Sequence, residues 1–484
     1  MSALAGIGDE PAARRQKIAV ATVFVAAMFI SILDATVVNV ALPTIARDFG
    51  VLVEHTATIN IGYLVALAVA IPVSGWLGDR LGAREVFVTA VGLFAAASAA
   101  CGLAGSLDQL VLFRVFQGAA GGMMTPVGMA MLYRTFPPAE RIRLGRITTV
   151  PIAFAPALGP VLGGLLTEHV GWRWIFGINV PIGAIAVLFT VLAVRPLVRT
   201  TANRLDVAGF TLAGAGFAGL MYAVSEGPAR GWGSAQILIP GLIGLALLCV
   251  LVPVELRSDR PMLQLRLFGL RLFRSANLIT MASSAGFIGA LFAYPLMLQN
   301  GLGHSPLTAG LLTFPEAIGV MLGTQIAARL YSRIGPRGLV AAGQALVTAM
   351  LCCIALLVRA GTPAIVPVVI MFFLGIGQAH TFMPTQAAAF DTVPRLRTGE
   401  ATSLYNATRQ AGGAIGVALA ATVIAAVGVP AAAAANPGLA PFRAALLACA
   451  ACNVISCLVA ALTVHNEDAA PSRGLAPRDP PADL

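Results

Sequence analysis

Charge is what this chain has least of: Asp, Glu, Lys and Arg together make up 11% of its 484 residues, and lysine occurs once, at position 17. A soluble domain carries roughly a quarter charged residues, so a surface this poor in charge is not built to face water. Clustered His, Asp or Cys that could serve as nucleophiles or metal ligands are missing, which leaves an enzyme without machinery. No GxxxxGK[ST] occurs and no loop is long enough for a nucleotide-binding domain, which excludes an ATP-driven device. All seven cysteines lie in apolar runs, and the CxxC formed by Cys449 and Cys452 has no further ligands around it; these are packing residues, with no redox or metal role.

What the chain has instead is oil. Hydrophobic residues make up 58% of it, and the mean hydropathy is +0.86. Apolar runs of 18 or more residues match the ~30 Å hydrocarbon layer of a bilayer. They fall near 18–42, 57–77, 86–105, 110–133, 147–166, 175–194, 207–224, 237–254, 276–298, 307–328, 339–357, 364–390, 401–429 and 444–464. Fourteen spans place both termini on one side. If that side is the cytoplasm, its loops and tails hold 24 of the 31 Lys and Arg, the opposite side five, and the spans two. That asymmetry is a positive-inside signal, so the pI near 9.8 reports topology and no nucleic-acid partner. The stretch 255–275, which alternates Arg with Leu and Phe, reads as an interfacial segment on the anionic leaflet.

Within the first span, SILDATVVNVALP (31–43) contains Asp34, the one ionisable residue between Ile18 and Leu42. It lies 17 residues past Lys17, roughly 25 Å along a helix. Hydrocarbon favours the protonated carboxyl and an adjacent cation favours the bare one. A carboxyl carried between those surroundings by a conformational change can take up a proton on one side and release it on the other, and an intramembrane acid is a functional candidate by default. Arg114, on the fourth span, is its natural partner. Glu316, roughly 15 Å inside the tenth span, is a second candidate for binding a proton or a cation. His380 could shuttle protons. Asn39, Tyr63, Gln117, Gln299 and Asn406 are further polar candidates for a substrate cavity, with Met and Phe as adaptable walls. Such a cavity suits amphipathic cations.

An internal repeat organises these spans. GWLGDRLGAR (75–84) follows the second span and ARLYSRIGPR (328–337) the tenth, each with Arg, Gly and Arg at the same offsets; GGMMTP (121–126) is echoed by AHTFMP (379–384). Two related six-span halves, 1–204 and 257–464, are thus separated by an extra pair of spans, 205–256, and followed by a polar tail, 465–484, expected to be disordered. With LDATVVNVALP (33–43), RVFQGAAGG (114–122), GPVLGG (159–164), WRWIFGINVPIG (172–183) and RQAGGAIGVAL (409–419), the chain resembles the major facilitator superfamily. Within it, the likeness is to the fourteen-span drug:proton antiporters of the EmrB/QacA type.

The resemblance implies an all-α polytopic fold of two six-helix bundles plus two extra helices, in a bacterial inner membrane, monomeric and without cofactor or metal. It implies proton-driven export of hydrophobic, cationic compounds by alternating access, a multidrug efflux activity that confers antibiotic resistance. It ties Arg114 to proton coupling and Gly159, Pro160, Gly163 and Gly164 to antiport. It assigns Asp79, Arg80 and Arg84 to a loop that latches one state by docking on the second half, with Asp79 meeting the thirteenth span near Ala401. Arg409, inside a family-like stretch, is either a gate residue or a structural charge. A dedicated exporter of a natural product, lipid or siderophore, or an uptake symporter, stays open as an alternative.

Overall fold

The computed structural model describes residues 10–469 except 52–55, 138–139, 141–143, 145–153, 156–157, 160–161, 197–205, 259–262, 305, 395–396, 429–437 and 468. Every regular element among the described residues is helical. Leu- and Ala-rich runs with no water to satisfy their backbone have no other way to cross a bilayer singly. The helices are α1 (Glu10–Phe49), α2 (Ala57–Leu81), α3 (Ala83–Gly102), α4 (Leu107–Thr135), α5 (Trp174–Gly177), α6 (Asn179–Ala193), α7 (Val207–Arg230) and α8 (Ala235–Arg257). They continue with α9 (Arg271–Leu296), α10 (Pro306–Thr313), α11 (Pro315–Leu357), α12 (Ile365–Ala389), α13 (Thr398–Gly428) and α14 (Ala440–Thr463).

Twelve described stretches are long and apolar enough to span a bilayer, and one of them, 308–357, is far longer than a single crossing needs. It turns at Gly335, whose φ of 78° is not helical, so α11 holds the end of the tenth span and all of the eleventh. The expected fifth span, 147–166, falls largely outside the described residues. Gly335 and Gly82 (φ 103°) occupy matching places in the two repeated loops. Each supplies the left-handed backbone that lets one span fold back as the next. At the second of these turns the expected disorder of the tail does not begin at once: Asn466 accepts from the Arg337 amide (3.1 Å) and donates to the Ile334 carbonyl (3.0 Å). The rest of that tail, from 470, is outside the described residues.

The first bundle packs α2 and α3 on α4, and α1 on α4 and α6; the second packs α9 on α13 and α14, and α11 on α12 and α14. Close approach rests on glycine. A Cβ on Gly118 would fall on the Tyr63 carbonyl and one on Gly122 on the Leu67 carbonyl, so α2 and α4 meet backbone to backbone. Gly412 and Gly416 let α13 meet α9 at Met281 and Ala285 in the same way. The extra pair, α7 and α8, pack on each other, and α7 lies across both α2 and α13 at the seam between the bundles.

Gly118→Val should force α2 from α4 and cost about 1–3 kcal/mol or more, the usual penalty for overpacking. Gly310→Ala, where an added Cβ meets nothing within 4 Å, should be tolerated. Fluorescence-detected gel filtration of the two variants checks this; an unaltered monodisperse peak for Gly118→Val would contradict the packing described.

Candidate functional site

Asp34 is 1% exposed and Arg114 wholly buried, and Arg114 Nη1 lies 2.5 Å from Asp34 Oδ2. Two amides complete the carboxylate: Gln117 Nε2 donates to Oδ1 at 2.9 Å and Asn179 Nδ2 at 2.8 Å. Gln117 Oε1 in turn accepts from Arg114 Nη1 at 2.8 Å. Asn179 also donates to Ser98 Oγ (3.0 Å), which donates to the Phe176 carbonyl (2.9 Å). The guanidinium lies over the Tyr63 ring, its carbon 4.2 Å from the centroid. Thus α1, α2, α3, α4, α5 and α6 each contribute a group, and all belong to the first half. Taking both ions out of water is costly, and only mutual attraction, extra donors and the ring face offset it.

The sequence pointed to Asp34, Arg114, Tyr63 and Gln117, and the fold brings these together. It did not single out Asn179 or Ser98. Asn179 had a readable signal, since it is the one amide in 174–193 and follows the break between α5 and α6 at Ile178. Ser98 had none, because a serine in an alanine-rich helix usually bonds its own backbone. Gly159 brings the fifth segment against α1 beside this site: a Cβ there would strike Thr36, two residues from Asp34. Gly163 is buried, whereas an added Cβ on Gly164 would meet open space. Pro160 and the Asn39 side chain lie outside the described residues.

A second group of contacts joins the halves at the arginine-rich end. Asp79, 6% exposed, pairs with Arg134 and sits against the first turn of α13, where a Cβ on Gly399 would lie 2.9 Å from its Oδ1. An acid there meets the positive end of a helix. Ser74 Oγ and Ser403 Oγ are 3.1 Å apart. Tyr133 stacks on Phe390 at 4.4 Å, and Asn406 Nδ2 donates to Met129 Sδ at 3.1 Å. A continuous buried core runs through this end, from Met129, Met131 and Tyr133 of the first half to Phe390, Leu404 and Tyr405 of the second. At the opposite end each half keeps its own core. Arg84 donates to the Val191 carbonyl at 2.7 Å, which ties it within the first half, and Arg80 lies 5.3 Å from the Trp76 ring.

The remaining candidates are dispersed. Glu316 is half-buried with no hydrogen-bond or ionic partner among the described residues. Arg409 is half-buried and reaches only Asn406 Oδ1, at 3.5 Å. His380 is satisfied by its own helix at the Ile376 carbonyl (2.7 Å), and Gln299 is half-buried on the turn that follows α9. Far from the arginine-rich end, Trp172 Nε1 (3.0 Å) and Arg173 (2.8 Å) hold Asp48. The tryptophan bond first, then the arginine, keep that carboxyl below its ordinary value of 3.8. Its contribution to stability is therefore complete above that pH and is lost as pH falls through the lower folded value.

Comparison with known proteins agrees with this architecture. The description Major Facilitator Superfamily matches residues 24–417 and 276–483, and the chain belongs to that family of membrane transporters. Over 404 residues it is 36% identical to the Multidrug resistance protein B homolog of Mycobacterium tuberculosis (strain CDC 1551 / Oshkosh), covering 82% of this chain and 74% of that one. It is 35% identical over 401 residues to the Putative multidrug resistance protein MdtD of Escherichia coli O1:K1 / APEC, covering 81% and 83%. Among solved structures, the fold is similar to that of the human organic anion transporter MFSD10 (TETRAN), with a TM-score of 0.65 at 15% identity over 92% of this chain and 99% of that one.

Removing one member of the buried pair strands the other. Arg114→Gln should lower stability by about 3–5 kcal/mol, and adding Asp34→Asn to it should recover much of the loss. Thermal unfolding of the single and double variants in detergent checks this; a double variant less stable than Arg114→Gln alone would contradict the coupling.

Proposed function

We propose that the chain is a proton-coupled antiporter that exports hydrophobic, cationic compounds across a bacterial inner membrane, with both termini in the cytoplasm. The observation that carries this reading is the mid-span carboxylate of Asp34, buried and held by an arginine and two amides inside one half of a two-bundle transporter. In the bare form the carboxylate satisfies all three donors. Protonation cancels the charge that holds Arg114 and weakens each of these contacts, which supplies a free-energy difference between conformations. The names of the relatives, as multidrug resistance proteins, support drug-like cargo.

Two bundles, 1–204 and 257–464, rock about a cavity between them, with 205–256 as an added hairpin. The joined arginine-rich end, read as cytoplasmic, corresponds to a state closed on that side. There Asp79 at the start of α13 acts as the latch, with Arg134 holding its carboxylate. Opening this end separates Ser74 from Ser403 and Tyr133 from Phe390. Glu316 supplies a second acid for a proton or the cationic part of the cargo. Asn179 keeps the Asp34 carboxylate oriented. An ion gradient drives the cycle, since no nucleotide motif is present in the sequence.

The test uses purified protein in liposomes with an imposed pH gradient, to which lipophilic cations are added one at a time. Proton release on addition of substrate is expected, and its loss in Asp34→Asn with folding retained. Uptake of proton and compound together would refute antiport. Asp79→Asn should slow transport strongly while leaving insertion and folding unchanged; transport at the parental rate would remove Asp79 from the latch.

A further inference from the structure

Four charged side chains stand well inside the spanning helices: Asp34, Arg114, Glu316 and Arg409. The first two neutralise each other. The second two do not meet any opposite charge among the described residues. Every other acidic residue among the described ones lies at a helix end or in a loop, so none of them is placed in mid-span to serve Arg409. An arginine does not shed its proton to escape this, and an intramembrane cation without a partner marks a water-filled path or a ligand.

The position of Arg409 on α13 says which way it looks. Gly399, Ser403 and Asn406 form the stripe that touches the first half, at Asp79, Ser74 and Met129. Helical spacing puts Gln410 on the next turn of that stripe and Arg409, three residues past Asn406, at its edge. Gly412 and Gly416, three and seven residues past Arg409, carry the adjoining face that lies on α9. Arg409 therefore stands one turn deeper than the contacts that join the halves, between the face of α13 that meets the first half and the face that meets α9. Its side chain is half-buried, and its one hydrogen bond is the 3.5 Å reach to Asn406 Oδ1.

We infer that Arg409 is an anion-recognising group of the substrate cavity, and that the transported compound carries a carboxylate beside its hydrophobic body. The planar fork of guanidinium donors fits a carboxylate in two parallel hydrogen bonds. Gln410 stands next to it as a further amide. This extends the export reading above: the preferred cargo is a zwitterion, its anion on Arg409 and its cation towards Glu316.

A matched pair of xanthylium dyes, one with a free carboxylate and the other its methyl ester, tests the assignment by fluorescence anisotropy on the purified full-length protein. The parental protein should bind the carboxylate dye about tenfold more tightly than the ester, as expected of one charge-assisted contact. Arg409→Gln should abolish that ratio, and Arg409→Lys should keep part of it, since the charge remains without the fork. No preference in the parental protein, whether it binds both dyes or neither, overturns the inference, as does an unchanged ratio in Arg409→Gln. Should Arg409→Gln not fold, the parental ratio and Arg409→Lys decide: a ratio equal in the two proteins overturns it. Binding needs no gradient, so loss of substrate-linked proton release would sink the antiport reading and leave this ratio standing. Loss of the ratio would leave proton exchange of the ester intact.

Discussion

A carboxylate and a guanidinium cannot be left apart in oil, and that constraint organises the first half of the molecule. Meeting it at Asp34 and Arg114 requires α1 and α4 to be close enough for a 2.5 Å contact. It also draws amides from α4 and α6 and a ring from α2 into one place. The glycines at 118 and 122 make this possible, because they let α4 lie directly on the α2 backbone beneath the ring of Tyr63. Packing and charge placement are thus one problem in this bundle: the small residues bring the helices close, and closeness makes a buried ion pair tolerable.

The two halves use their polar groups differently. In the first, Arg114 Nη1 and the side-chain amides of Gln117 and Asn179 are all spent on the Asp34 carboxylate, while Arg114 Nε and Nη2 make no hydrogen bond among the described residues. In the second, Gln344 bonds Ser283 and Thr381, and Gln378 bonds Ser283, as a self-contained amide and hydroxyl network. The mid-span charges of that half have no ionic partner among the described residues. One bundle pairs its mid-span charges and the other does not. The seam itself is made from small and soft groups: two serine hydroxyls, a thioether and a pair of stacked rings. None of these contacts is strong alone.

Much of this could be read from the residues, for a physical reason. A charge in an apolar run is conspicuous because hydrocarbon makes it expensive, so Asp34, Arg114, Glu316 and Arg409 stood out at once. The repeated Arg-Gly-Arg loops were legible because a left-handed turn needs glycine, and Gly82 and Gly335 both adopt it. The meeting of Asp79 with the start of α13 was legible through family likeness and helix polarity. Neutral partners were harder. Asn179, Ser98 and Ser403 are ordinary in composition, and only the crossing of helices distant in sequence gives them a role. The same is true of where the extra spans go, since an apolar hairpin carries little information about which neighbour it prefers.

That hairpin has a lasting effect on the outline of the molecule. It is fixed to α2 where Gly214 meets Val69, and to α13 through the Trp232 indole, which donates to Thr422 at 2.7 Å. Its outer helix turns Leu242, Ile243 and Val250 to the lipid. The seam behind it is thereby curtained from the acyl chains. An oily solute dissolved in the leaflet meets the hairpin before the seam on this flank, and because the hairpin is pinned to both walls, any parting of α2 from α13 would have to slide it along at least one of them.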